Sequence, residues 1–191
     1  MSDSIWTTSA RKLKSVKYLA LIASFIAMKI ILGAVYIPVG ENLHIGISYL
    51  IVALEAAIIG PVAGMASGFV TDILSFILFP NGPFFFGYTI TAMLGEVCYA
   101  IFLYEKEVTV ARLACAKIAI NYIINVLIGS IWSCMLYSNG YIYYLVKSLI
   151  KNTLMLPIEI LLMTALFNLV GKMLIKKKFL SEKTSIPLRL K

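Results

Sequence analysis

The chain has 191 residues, of which 61% are hydrophobic and 14% charged, with a mean hydropathy of +0.93. A soluble domain is about 45–50% apolar and about 25% charged, so this composition excludes a water-solvated globule and makes lipid the expected solvent. The net charge of +8 sits at the ends, with +3 over residues 1–17, +6 over residues 172–191 and −1 between them. Two basic tails around an apolar body follow the positive-inside rule. No basic face interleaved with aromatics is present, so no nucleic-acid partner is expected.

A membrane-spanning helix needs about 20 largely apolar residues. The first such run covers residues 18–36 and is broken at residues 37–44, which contain Pro38 and Gly40. The second covers residues 45–59 and stops at Gly60-Pro61, a helix end followed by a helix start. The third covers residues 62–79 and ends at Pro80-Asn-Gly-Pro83. The fourth, residues 84–104, is followed by the charged turn Glu105-Lys-Glu107. The fifth covers residues 111–137 and is closed by Ser138-Asn-Gly140. The sixth, residues 144–175, is too long for one straight span, which predicts tilt or a kink at Pro157.

The expected fold is therefore an all-α integral membrane protein, a bundle of six transmembrane helices. The organisation is a basic N-terminal segment (1–17), a membrane domain (18–175) and a basic C-terminal tail (176–191). An even number of spans puts both termini on one side, and their Lys/Arg content makes that side cytoplasmic. The breaks at 37–44, 80–83 and 138–143 then face outward, and none of them carries Lys or Arg.

Aromatics gather at those outward ends, among them Phe84, Phe85, Phe86 and Tyr88. Two readings are open: an interfacial belt, or a stacking surface held by the Pro- and Gly-rich 80–88 loop for a flat ligand.

Eight ionisable residues fall inside the runs: Lys29, Glu55, Asp72, Glu96, Lys117, Lys147, Lys151 and Glu159. A charge at mid-membrane costs about 2.5–3.5 kcal/mol on insertion scales, so each should face the bundle interior. Lys147 and Lys151 share a helix face, and with Asn152 they form a cationic patch suited to a carboxylate or phosphate. Lys147 can also snorkel to the interface. Asp72 and Glu96 read either as partners of an internal ion pair, for instance with Lys29, or as carboxylates accepting paired N–H donors from a heterocycle. Lys117, Asn121 and Asn125 recur every four residues as one polar stripe. That stripe either joins helices or contacts a ligand, and Lys117 has the further option of snorkelling. Glu159, just past Pro157, is expected to cap backbone groups freed by the kink.

The first span places Ala20, Ala23, Ser24 and Ala27 at small-xxx-small spacing, a close-approach surface for another helix. Gly60, Ala63, Gly64, Ser67 and Gly68 repeat the pattern in the third. Cys98, Cys115 and Cys134 form no CxxC pair and read as small hydrophobes, with no metal site. There is no GxxxxGK[ST] and no GxSxG, and the only histidine is His44 in a loop, so neither a nucleotide site of that type nor a Ser-His-Asp triad in the bundle is available. No enzymatic activity and no cofactor are expected. A membrane scaffold without a ligand and a small membrane enzyme are the competing classes.

Several stretches resemble one family. Ile37-Pro-Val-Gly-Glu-Asn-Leu-His-Ile-Gly46, Thr71-Asp72-Ile-Leu, Phe79-Pro-Asn-Gly82, Lys117-x-x-x-Asn121-x-x-x-Asn125 and above all Lys151-Asn-Thr-Leu-Met-Leu-Pro-Ile-Glu159 are similar to the S components of energy-coupling factor (ECF) vitamin transporters, closest to the folate-specific branch. The chain departs from that branch at His44, where Arg is usual, and at Phe86-Gly-Tyr-Thr89, where a Pro-Gly-Phe-Thr run is usual. The resemblance implies a high-affinity substrate-binding subunit in the bacterial plasma membrane. Its partners would be a folate-like molecule, a transmembrane coupling subunit docked on Ala20, Ala23, Ser24 and Ala27, and two cytoplasmic ATPases. Another vitamin or a nucleobase-like micronutrient is the alternative substrate. The implied ligand site joins Lys151, Asn152 and Lys147 at the anionic end, Phe84, Phe85 and Tyr88 around the ring, and Asp72 and Asn125 as polar contacts.

Overall fold

The computed structural model describes residues 4–40, 43–80, 83–137, 139–181 and 184–189. A short amphipathic helix, α1 (Ile5–Lys12), precedes the membrane domain. There follow α2 (Val16–Ala34), an antiparallel hairpin of β1 (Tyr36–Gly40) and β2 (Leu43–Gly46), α3 (Tyr49–Ile59), α4 (Pro61–Leu78) and α5 (Phe86–Leu103). The next apolar run is α6 (Val110–Ala119), a π-helical stretch (Ile120–Ile128) and α7 (Gly129–Leu136) in succession. The 36-residue α8 (Tyr141–Lys176) runs unbroken through Pro157.

Five of these units are long and apolar enough to cross a membrane: α2, α4, α5, the α6–π–α7 unit and α8. The predicted second span is different. Only 11 of its residues are helical, about 16 Å at 1.5 Å per residue, roughly half of a hydrocarbon core of about 30 Å. Its first two residues, Ile45 and Gly46, end strand β2 instead, and the helix begins only at Tyr49. Residues 41–42 and 81–82, parts of two predicted outward breaks, lie outside the described residues, as do Ser138 and residues 182–183.

The two small-residue faces meet different fates. Gly60, Ala63, Gly64, Ser67 and Gly68 are all buried. A Cβ at Gly68 would stand 3.0 Å from the Ala92 carbonyl oxygen of α5, so the glycine is what lets α4 and α5 touch. On α2, by contrast, Ala20, Ala23, Ser24 and Ala27 are exposed, alongside Leu19, Met28 and Ile31. Among the described residues nothing buries them.

The terminal segments are built into the fold rather than trailing from it. The Ser9 hydroxyl of α1 donates to the Ile59 carbonyl at 2.9 Å, the last residue of α3, and accepts from Val62 N and Ala63 N, each at 3.0 Å, in the first turn of α4. One side chain thus satisfies the orphaned groups of two helix ends. Gly60 joins them at φ 83°, where a Cβ would come within 2.9 Å of Ser9 Cβ and of the Tyr104 ring. Lys12 bonds the Ile58 carbonyl at 2.5 Å and lies 4.4 Å above the Tyr104 ring. Burial lowers its pKa to about 8, with the Glu105 carboxylate pulling the other way. At the other terminus, Val108 N donates to Thr184 Oγ1 at 3.0 Å, Val110 N to the Arg189 carbonyl at 3.0 Å, and Leu188 N to Asn168 Oδ1 at 2.8 Å. The chain after α8 is a docked strap.

Candidate functional site

At the hairpin end of the bundle, α4, α5 and the 83–85 segment enclose a cavity of 230 Å3 lined by Asp72, Phe76, Phe79, Phe84, Phe85, Tyr88 and Tyr137. Its walls are aromatic pairs. Phe84 leans on Phe76 with ring centroids 5.1 Å apart, and Phe85 stands edge-on to Tyr88 at 5.9 Å and to Trp132 at 5.5 Å. Trp132 is fixed in turn by its indole N–H, which donates to Thr91 Oγ1 at 3.0 Å. Among the described residues Asp72 is the carboxylate on the wall, and it accepts from the Thr89 hydroxyl at 2.6 Å. An aromatic chamber with an anchored carboxylate suits a flat heterocycle bearing N–H donors.

Tyr88 also borders a second cavity of 280 Å3, lined by Thr91, Asn125, Ser130, Ser133, Tyr144, Ser148, Lys151 and Asn152. Asn125 and Lys151 pass on to a third, of 350 Å3, under the hairpin, with Tyr36, Ile45, Ser48, Tyr49, Lys117 and Glu159. These chambers adjoin through shared residues. One end is aromatic and acidic, the other polar and cationic.

The cationic end is organised by α8 and the π-helical stretch. Asn152 Nδ2 donates to the Ser148 carbonyl at 2.8 Å, and the Ser148 hydroxyl donates to the Asn125 carbonyl at 3.3 Å. Asn125 Nδ2 donates to Asn121 Oδ1 at 3.3 Å, and Asn121 Nδ2 donates to Glu159 Oε2 at 2.7 Å. Glu159 Oε1 pairs with the Lys117 ammonium at 3.2 Å, which lies 3.9 Å over the Tyr49 ring. A π-helical turn widens the backbone and recurs at functional positions; here it carries both asparagines.

Three expectations are corrected by this geometry. Lys117 does not snorkel: it is 2% exposed and held inside by Glu159 and Tyr49. Glu159 does not cap a kink, because α8 stays helical and its carboxylate is taken by Lys117 and Asn121. Asp72 is not the partner of Lys29, which pairs with Glu96 at 2.6 Å and with Glu55 at 2.5 Å, both from neighbouring helices.

Of the residues singled out in sequence, Phe84, Phe85, Tyr88 and Asp72 line one cavity, and Asn125, Lys151 and Asn152 line the next. Lys147 lines none of these three chambers. It reaches the Tyr143 hydroxyl at 3.5 Å and meets Lys151 only along an apolar groove with Ile45, Ile150 and Leu154. Sequence reasoning missed Trp132, Phe76 and Tyr49, and named Tyr144 only as one of the aromatics at the outward ends. The i+4 spacing of Phe76 from Asp72 on α4 would have placed it beside a residue already chosen.

Residues 17–175 match the family model "ECF transporter, substrate-specific component". A folate transporter of Clostridium novyi is 27% identical over 166 residues, covering 87% of this chain and 96% of its own length. A folate transporter of Leuconostoc mesenteroides is 26% identical over 147 residues, covering 73% of this chain and 78% of its own. Among solved structures, the crystal structure of a FolT protein bound with folic acid superposes with a TM-score of 0.74 at 26% identity, covering 83% of this chain and 95% of that one.

Proposed function

The chain belongs to the substrate-specific components of ECF transporters, a family of multi-pass membrane proteins, and from that premise we propose that it is the folate-binding subunit of such a transporter in the cell membrane. The observation that carries the substrate is the two-ended site. The aromatic chamber with Asp72 matches a pterin, whose ring stacks and whose amino and ring N–H groups point at a carboxylate. The adjoining chamber with Lys151, Asn125 and Asn152 matches the glutamate tail. The relatives named folate transporters agree with this reading.

The division of labour follows from the residues present. With no P-loop in the sequence, ATP hydrolysis belongs to separate ATPase subunits. A membrane coupling subunit docks on the exposed Ala20, Ala23, Ser24 and Ala27 face of α2, where the absence of bulky side chains lets a second helix approach closely. Both tails, the α1 latch and the strap after α8 lie on the cytoplasmic side, where the basic residues belong.

The test is equilibrium binding of folic acid to the purified chain, read by quenching of Trp132, which touches the ring-chamber wall through Phe85. Saturable quenching by folic acid, and none by thiamine or riboflavin, is the expected result. A folded protein that ignores folic acid, or that prefers another vitamin, overturns the assignment.

A further inference from the structure

We propose that Lys29, Glu55 and Glu96 form a proton-binding site inside the bundle, holding one proton between the two carboxylates beside the charged lysine.

Four helices converge there. Lys29 Nζ of α2 reaches Glu55 Oε2 of α3 at 2.5 Å, Glu96 Oε1 of α5 at 2.6 Å and Ser67 Oγ of α4 at 3.0 Å. The three charged residues are 3%, 0% and 1% exposed. Two carboxylates facing one ammonium leave one negative charge without compensation. In a buried, low-dielectric setting an unpaired charge is strongly destabilising, and two carboxylates sharing a site do not both ionise.

No second cation is within reach among the described residues. From α6, Lys117 borders the same inner cavity of 230 Å3, but it is held by Glu159 at 3.2 Å. From α5, the Tyr99 hydroxyl is directed to Met163 Sδ at 3.9 Å. From α4, Asp72 is bonded to Thr89 and lines the aromatic chamber instead. Ser48, Tyr49, Thr71, Thr91 and Asn125, the other polar groups lining that cavity, carry no positive charge. The outer oxygens, Glu55 Oε1 and Glu96 Oε2, are buried without a donor. A proton supplies the donor and removes the excess charge together. The Lys117–Glu159 pair, one cation to one anion, needs none.

The site also faces the ligand. Lys29 and Glu96 line the inner cavity, which shares Thr91 and Asn125 with the chamber of Lys151. A proton-bound triad presents no net charge there, and a deprotonated one repels an anionic ligand. This last consequence rests on the proposed folate reading; the site itself does not.

The test is infrared spectroscopy of the full chain in phosphatidylcholine nanodiscs at pH 7, with 13C-glutamate labelling to separate Glu from Asp. A carboxylic-acid C=O band that shifts on labelling is expected in the wild type. It should vanish in Glu55→Gln and in Glu96→Gln, each of which leaves one carboxylate for Lys29, and it should persist in Glu159→Gln. Absence of a labelled band in the wild type overturns the proposal without any variant having to fold, as does a band that survives both triad substitutions. A normal band with no folic acid binding would instead sink the folate reading and leave the proton site standing.

Discussion

In the folate reading proposed above, the orientation of the ligand turns on Lys151. It borders both polar chambers, and among the described residues no carboxylate lies within ion-pair distance of it, because Glu159 is engaged by Lys117. An incoming carboxylate therefore meets a free ammonium and breaks no existing pair. A hydrogen bond to a charged group contributes about 1.5–3 kcal/mol, so Lys151→Ala should weaken folic acid binding about ten- to a hundredfold, at about 1.4 kcal/mol per tenfold. The assay is Trp132 quenching in a Trp6→Phe background, which leaves a single tryptophan, since the chain has two. Repeating the titration with an analogue lacking the tail carboxylates closes a double-mutant cycle. If tail and lysine touch, the analogue loses about as much as the substitution does on wild type, and little more on Lys151→Ala. Losses that simply add would show that the tail binds elsewhere and that Lys151 serves the fold.

Four further outcomes follow from the same geometry. Asp72→Asn keeps the shape of the ring chamber and removes the anion that faces the heterocycle, so folic acid affinity should fall about tenfold or more, with thermal stability nearly unchanged, by the same charged hydrogen-bond range. Ser9→Ala strips three hydrogen bonds from the α3–α4 junction and should cost about 1–3 kcal/mol, seen as a lowered unfolding temperature in detergent with the ligand site intact. Lys12 titrates near 8 when folded against 10.5 otherwise, so between those values the unfolded chain binds more protons and stability should rise with pH; the rise should vanish in Lys12→Met. Trp at Ala23 and Ala27 should abolish uptake in cells carrying the coupling subunit while leaving folic acid binding to the isolated chain intact; normal uptake would mean that the face meets only lipid.

The membrane class was written in composition alone, because a chain this apolar has no soluble solution to its exposed surface. The long helices were legible for the same reason: each must satisfy its backbone within itself, so span length is fixed by bilayer thickness and shows as an apolar run. The α2 face was also visible, since spacing on a helix fixes which residues share a side. The start of the second helix was not legible, because an apolar run does not distinguish a helix from a strand end followed by a shorter helix.

Pairing was the part that sequence withheld. Eight ionisable residues could be named as inward-facing, but which met which depends on helix rotation and order, and neither leaves a mark in any single helix. So Lys29 was free to be assigned to Asp72, and Lys117 to the interface, until packing put Glu55 and Glu96 around the first and Glu159 and Tyr49 around the second. The same holds for Ser9, an unremarkable serine in a basic terminal segment. Its role exists only because α1 folds back onto a junction 50 residues away, where two helix ends present a carbonyl and two N–H groups to one hydroxyl.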